Sequence, residues 1–380
     1  MEFTQYQQGI TFYHHAESLN EQMHSIQGRM QAHVADLDRV SFALYDSDAD
    51  MLRTYADSTF LSLEKAHYEA PLDSLPTLKK CVESKQPRIL SSLTHIPPSR
   101  HVSMLIESGF RSSAAIPCFR DSDFIGFVFL NSYRESAFDI EIIHDLKPYI
   151  DMVAFSVISE CQIVWSISHY AEQVQKLAPC YHKESQAHKE RVSAYTRIIA
   201  NHVAYLHGFD DETIEHLSMF AQFHDLGKTR LPVTLLCKES PLTTQEVVAM
   251  QSHIGHGLDI IDEALARLGH PQHPCIQLLS EIMAHHHEFM DGSGYPNHLR
   301  GEEIPIAARI VAVANVFDAM TTHKPYRQAC DVPHALLEME KMVNQGKLDR
   351  ECVNALREAQ SDVEALLIKY PEFDPKDGFY

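Results

Sequence analysis

Apolar residues in the first part of the chain come in short runs broken by polar turns. Residues 39–46 (Arg-Val-Ser-Phe-Ala-Leu-Tyr-Asp) alternate weakly and stop at Asp46-Ser47-Asp48, which reads as a strand ending in a turn. Residues 76–84 suit a helix with Pro76 in its first turn and Leu78 and Cys81 on one face. Two apolar runs, 112–119 and 124–132, flank Arg120-Asp121-Ser122-Asp123 and predict a hairpin. The second run is too apolar for an exposed strand and is expected centrally in a sheet. From Ile143 the period changes. Leu146, Ile150, Val153 and Val157 recur at three-four spacing, and Val164 continues the phase after a break. This predicts a long connector helix, kinked or started by Pro148, whose narrow seam pairs with its twin in a homodimer or packs on its own domain.

The rest of the chain reads as helical, with Ile214, Leu217, Ala221 and His224 on one face. The expected fold is therefore two domains. Residues 1–165 form an α/β domain with a central antiparallel sheet flanked by helices, ending in the connector. Residues 166–380 form an all-α bundle, whose last fifty residues, Asp331 to Tyr380, are acidic helical material without a named role.

With 380 residues, 44% apolar and 22% charged, the chain can bury two cores and has the composition of a soluble globular protein. No unbroken run of eighteen apolar residues occurs, so no membrane span is expected, and the N-terminus has no signal-peptide pattern. Eight scattered cysteines without a Cys-x-x-Cys pair suit reduced thiols in a cytoplasmic protein. A net charge of −20 argues against non-specific binding to DNA, but leaves room for an anionic ligand in a local basic pocket.

Histidines and carboxylates are the candidate chemistry. His286-His287-Glu288 runs into Asp291-Gly-Ser-Gly-Tyr295-Pro, and Phe-His224-Asp225-Leu-Gly-Lys228 stands upstream. Imidazole with carboxylate suits divalent iron, manganese, zinc or nickel, whereas calcium and magnesium favour oxygen ligands alone. Glu184 and His188 are four apart and would project from one side of a helix. His253 opens His-Ile-Gly-His-Gly, and His285 is expected to be a bystander. Asn315 and Asp318, three apart on a helix, would face one centre, and Lys324-Pro-Tyr-Arg327 adds two cations.

In order, Glu184-x-x-x-His188, His224-Asp225-x-Gly227-Lys228, His253-x-x-x-Gly257, His286-His287-Glu288 and Asp291-Gly-x-Gly-Tyr295-Pro296 resemble the HD-GYP phosphodiesterases, a branch of the HD metallohydrolases. Upstream, Gly109 through Pro117, Ile125 to Val128 and Asn131-Ser132 resemble the GAF sensor domain, a common partner of that family.

The resemblance implies hydrolysis of cyclic di-GMP to the linear dinucleotide, and further to GMP, at a centre of two or three divalent ions, often iron or manganese. Cyclic GMP-AMP is the alternative substrate. The implied metal ligands are Glu184, His188, His224, Asp225, His253, His286 and His287, with Asp225 bridging. Asn315 stands where the family has an aspartate, which implies two firmly held metals and a weak or absent third. Lys228 is expected to hold a phosphate oxygen, and Lys324 with Arg327 to clamp the second phosphate. Asp291, Tyr295 and Asp318 complete the implied substrate contacts. The implied partners are a small ligand for the GAF-like domain and a diguanylate cyclase. A degenerate member that binds the dinucleotide without hydrolysing it is a second reading.

Overall fold

A computed structural model describes residues 18–47, 50–59, 69–96, 100–178, 186–238, 240–271, 273–322 and 330–371. The chain divides into two units, Met1–Gln162 and Ile163–Tyr380.

The first unit is built on an antiparallel sheet of six strands: β1 (Arg39–Asp46), β2 (Met51–Asp57), β3 (Glu69–Pro71), β4 (Arg88–Leu90), β5 (Ser112–Arg120) and β6 (Asp123–Ser132). Their order is β3-β2-β1-β6-β5-β4. The apolar run 124–132 thus lies in the central strand β6, paired with β1 on one side and β5 on the other. Helices α1 (Leu19–Met30), α2 (Pro76–Ser84) and α3 (Arg100–Glu107) accompany the sheet. Pro76 opens α2, where its missing N–H costs nothing, and Leu78 and Cys81 pack against Ala115, Phe127 and Phe129.

Helix α4 (Ile140–Leu177) carries the chain from one unit into the next. Pro148 lies inside it rather than at its start, giving up the bond its N–H would make to the His144 carbonyl. The expected dimer seam is already used, because Leu146, Ile150, Val153 and Val157 are all buried within one chain. Against the expectation of no span, α4 is by length and composition apolar enough to cross a membrane, with an 18-residue window of mean hydropathy 1.4.

The second unit is helical: α5 (Gln186–His207), α6 (Asp211–Ala221), α7 (Val233–Leu236), α8 (Thr244–Gln251), α9 (His253–Arg267), α10 (Pro274–His285), α11 (Ile306–Thr321), α12 (Val332–Asn344), α13 (Arg350–Glu358) and α14 (Gln360–Lys369). Helix α5 runs through the middle, packed by α6, α11 and α13, and buries Val192, Tyr195, Ile199 and Val203. Helix α10 packs against α6, α9 and α11. Asp210 caps α6 by accepting the Thr213 N–H at 2.9 Å. Ile214, Leu217, Ala221 and His224 are buried as expected, but α6 ends at Ala221 and His224 lies in the turn beyond it. That early end lets His224 and Asp225 be aimed independently of the helix axis.

Candidate metal centre

Backbone contact, not side-chain packing, brings the first two segments together. Asp225 stands immediately before a short 3-10 helix, Leu226–Arg230, that packs on α9, and its side chain makes no capping bond to it. A Cβ on Gly227 would lie 1.8 Å from the His253 carbonyl oxygen and 2.4 Å from the Gly257 nitrogen, so only hydrogen fits there. The glycines of the His-Asp-x-Gly and His-x-x-x-Gly segments therefore press together and set Asp225 beside His253. The third segment comes from α10, where His286 is the C-cap residue and His287 follows.

Hydrogen bonds fix the imidazoles. Nδ1 of His224 meets the Ala221 carbonyl at 2.7 Å, Nδ1 of His253 the Met250 carbonyl at 2.7 Å, and Nδ1 of His286 the Ile282 carbonyl at 3.0 Å. A carbonyl only accepts, so each Nδ1 carries a hydrogen, and a ring with no second one turns an Nε2 lone pair inward. Those lone pairs converge on the Asp225 carboxylate. Oδ1 lies 3.2 Å from His253 Nε2 and 3.8 Å from His286 Nε2, while Oδ2 lies 3.2 Å from His224 Nε2.

Every group in that set is an acceptor. Nε2 of His253, Nε2 of His286 and Oδ1 of Asp225 are buried without a hydrogen-bond partner. A buried acceptor left so costs about 1–3 kcal/mol, and neighbouring lone pairs add repulsion. At His286 and His287 protons do not relieve it near neutral pH, because burial pushes His286 down to about 4 and His287 down to about 2. Burial alone would raise Asp225, but the Lys228 ammonium leads the groups that outweigh it and hold the carboxyl well below its usual range. A divalent cation among them would satisfy these acceptors.

Ligand atoms of Asp225, His253, His286 and His287 all lie within 4.8 Å of one another. Opposite ligands around an ion with bonds near ~2.1 Å sit about 4 Å apart, so the group fits one divalent cation. The nitrogen-rich donor set favours a first-row transition metal over calcium or magnesium. Oδ2 faces His224 instead, so the two carboxylate oxygens are turned to different imidazoles.

His188, on α5, stands with its ring edge-on to His224 at 5.6 Å between centroids. Its Nδ1 is 2.7 Å from Asp318 Oδ2. Burial favours protonation of Asp318, yet His188 and Arg191 hold its carboxyl below the usual range. It is 1% exposed, which counts against direct contact with a substrate. Asn315 is half-buried one turn earlier on α11. Lys228 pairs with Asp225 Oδ2 rather than standing free. His285 is outside the ligand group. Glu184, Lys324 and Arg327 lie outside the described residues.

The glycine-rich loop folds back under the histidines. A Cβ on Gly294 would meet the Glu288 Cα and Phe289 nitrogen at 2.4 Å. Tyr295 stacks on His287, centroids 4.7 Å apart and planes at 25°. Asp291 accepts the Ser293 N–H on Oδ1 at 2.8 Å, and the Ser293 side chain, followed by that N–H, holds its carboxyl below the usual range. Glu288, for which the motif suggested no role, is 2% exposed and accepts the N–H groups of Asn297 at 2.7 Å and Leu299 at 3.2 Å. It is the latch of the loop. Its place directly after two histidines was the available signal.

Residues 175–352 match the family model of the HD domain. The match takes in every candidate site residue named above. The cyclic di-GMP phosphodiesterase response regulator RpfG of Xanthomonas campestris is 33% identical over 195 residues, 51% of this chain and 48% of that protein. A cyclic di-GMP phosphodiesterase of Thermotoga maritima is 34% identical over 181 residues, 47% of this chain and 46% of that one. The 3'3'-cGAMP-specific phosphodiesterase 2 of Vibrio cholerae is 37% identical over 145 residues, 38% of this chain and 26% of that one. The chain thus spans less than half the length of these relatives. A solved GAF domain/HD domain protein from Geobacter sulfurreducens aligns with 39% of this chain and 96% of that one, at 15% identity and a TM-score of 0.30, too low to bear on the fold.

Proposed function

We propose that the helical unit is an HD-GYP-type metal-dependent phosphodiesterase that opens a cyclic dinucleotide, cyclic di-GMP or cyclic GMP-AMP, to its linear form. The observation that carries this reading is the Asp225 carboxylate, whose two oxygens face imidazole nitrogens from different segments, His224 Nε2 on one and His253 Nε2 on the other. The names of the three relatives supply the substrate class. Bound divalent ions would neutralise charge on the phosphoryl oxygens and lower the pKa of water.

Protein groups do the rest. Asp225 with His253, His286 and His287 would hold one ion, and Asp225 with His224, His188 and Glu184 the other. Lys228, about one-third exposed at the rim, would swing from Asp225 to a phosphate oxygen, and Lys324 with Arg327 would take the second phosphate. Tyr295 would present its ring to the nucleotide while its stacking holds His287 in place. Asn315 would offer an amide oxygen without charge, so a third ion would be weakly held or absent. Iron or manganese, a GAF-like sensor in the first unit, a diguanylate cyclase partner, a homodimer and a cytoplasmic setting belong to the same reading. Because the α4 seam is buried, the dimer would need another face, such as that bearing Phe155 and Ile140, both exposed.

Asn315 also favours a second reading, a protein that binds the dinucleotide without cleaving it. Anaerobic purification, metal analysis and chromatography of both cyclic dinucleotides separate the two. Linear product from either substrate, dependent on metal, is the expected result. Tight binding with no product would overturn the enzyme reading.

A further inference from the structure

Behind His188 lies a chain of hydrogen bonds that leaves the metal cluster and ends eighteen residues past the matched HD-domain region (370 against 352). Arg191, one turn after His188 on α5, is 1% exposed and uses its whole fork. Nε donates to Asp318 Oδ1 at 2.6 Å, Nη2 donates to Asp318 Oδ2 at 3.1 Å, and Nη1 donates to the Tyr370 carbonyl at 2.7 Å. The same Asp318 Oδ2 takes the His188 Nδ1 hydrogen at 2.7 Å. Three elements meet here: α5, α11 and the C-cap of α14, whose last carbonyls have no partner inside the helix.

We propose that Tyr370, Arg191 and Asp318 form a positioning relay for His188. The C-terminal helix is thereby part of the support of the metal centre. A fully buried ion pair is weak evidence of stabilisation, since apolar replacements of equal volume are often neutral. What this pair does instead is orient. With Nδ1 committed to Asp318, a cation would be met through Nε2, and the ring cannot flip without breaking a short charge-assisted bond. Asp318 alone could rotate. Arg191 grips both of its oxygens in one plane, which a lysine cannot do. Arg191 in turn is fixed from behind by the Tyr370 carbonyl, so α14 sets the geometry of α5 at the site.

The inference rests on His188 being a metal ligand, so its test needs neither substrate nor turnover. The double variant Arg191→Met/Asp318→Leu removes both charges and keeps the volume. Arg191→Lys keeps the charge and loses the fork. Two truncations of the full chain, after Pro371 and after Lys369, differ in whether the Tyr370 carbonyl is present. Two quantities are read: the nitrogen-15 resonances of the His188 ring in metal-free protein, and the affinity for manganese(II) by titration.

Wild type should show one tautomer with the hydrogen on Nδ1. The double variant and Arg191→Lys should lose that preference and bind manganese about 10–100-fold more weakly. The Lys369 truncation should move in the same direction, while the Pro371 truncation should match wild type. A folded double variant or Arg191→Lys with wild-type tautomer and affinity overturns the relay, and identical truncations remove Tyr370 from it. If wild type itself binds no manganese, the metal reading fails and takes the relay with it. Failure to hydrolyse a dinucleotide while manganese still binds touches only the proposed activity.

Discussion

Replacing Gly227 by alanine would set a methyl carbon 1.8 Å from the His253 carbonyl oxygen and 2.4 Å from the Gly257 nitrogen. Both obstacles are backbone, so no side chain can swing aside, and the 3-10 helix must move off α9. Overpacking in a tight interior costs about 1–3 kcal/mol, and a backbone obstacle puts this case at the upper end. For a helical unit of this size each kcal/mol lowers Tm by about 2–4 °C, which predicts a drop of about 6–12 °C. The same movement carries Asp225 away from His253 Nε2, now 3.2 Å away, and should weaken manganese binding at least tenfold. Calorimetry and metal titration on the same preparation give both numbers. Unchanged Tm and unchanged affinity would show that this glycine contact does not build the site.

Asn315→Asp should raise the number of bound metal ions and the turnover of cyclic dinucleotide; if neither changes, the amide at that position is inconsequential. Glu288→Ala strands the Asn297 and Leu299 N–H groups, so stability should fall by about 1–3 kcal/mol and the Gly-Tyr-Pro loop should be cut faster by protease. In metal-free protein the His286 imidazole takes a proton near 4, while in the unfolded chain it does so near its ordinary 6.5. The unfolded state therefore binds more protons between those values, and stability should fall as pH drops through that window. His286→Asn should flatten that slope in denaturant titrations.

Local chemistry made much of the molecule legible from its sequence. The turn at Asp46, the proline opening α2 and the apolar run of β6 each depend on neighbours in sequence, and each stands where expected. The converging histidines could be named because every one sits in a short motif with its own spacing. Helix phase misled where a helix stops early, since periodicity from Ile214 to His224 does not register the turn after Ala221. The α4 seam was visible, but not which surface covers it. Arg191 and Tyr370 could not be found this way. Their partners are 127 and 179 residues distant, and neither residue belongs to a pattern. Asp318 could be singled out, but its burial between Arg191 and His188 depends on how α5 and α11 pack.

Crystals of the full chain grown with manganese, with diffraction collected on both sides of the metal's absorption edge, would place any bound ion. An anomalous peak bonded to Asp225 Oδ1, His253 Nε2 and His286 Nε2 is expected, with a second beside Asp225 Oδ2 and His224. Well-ordered crystals with those side chains in place and no anomalous peak among them would contradict that expectation.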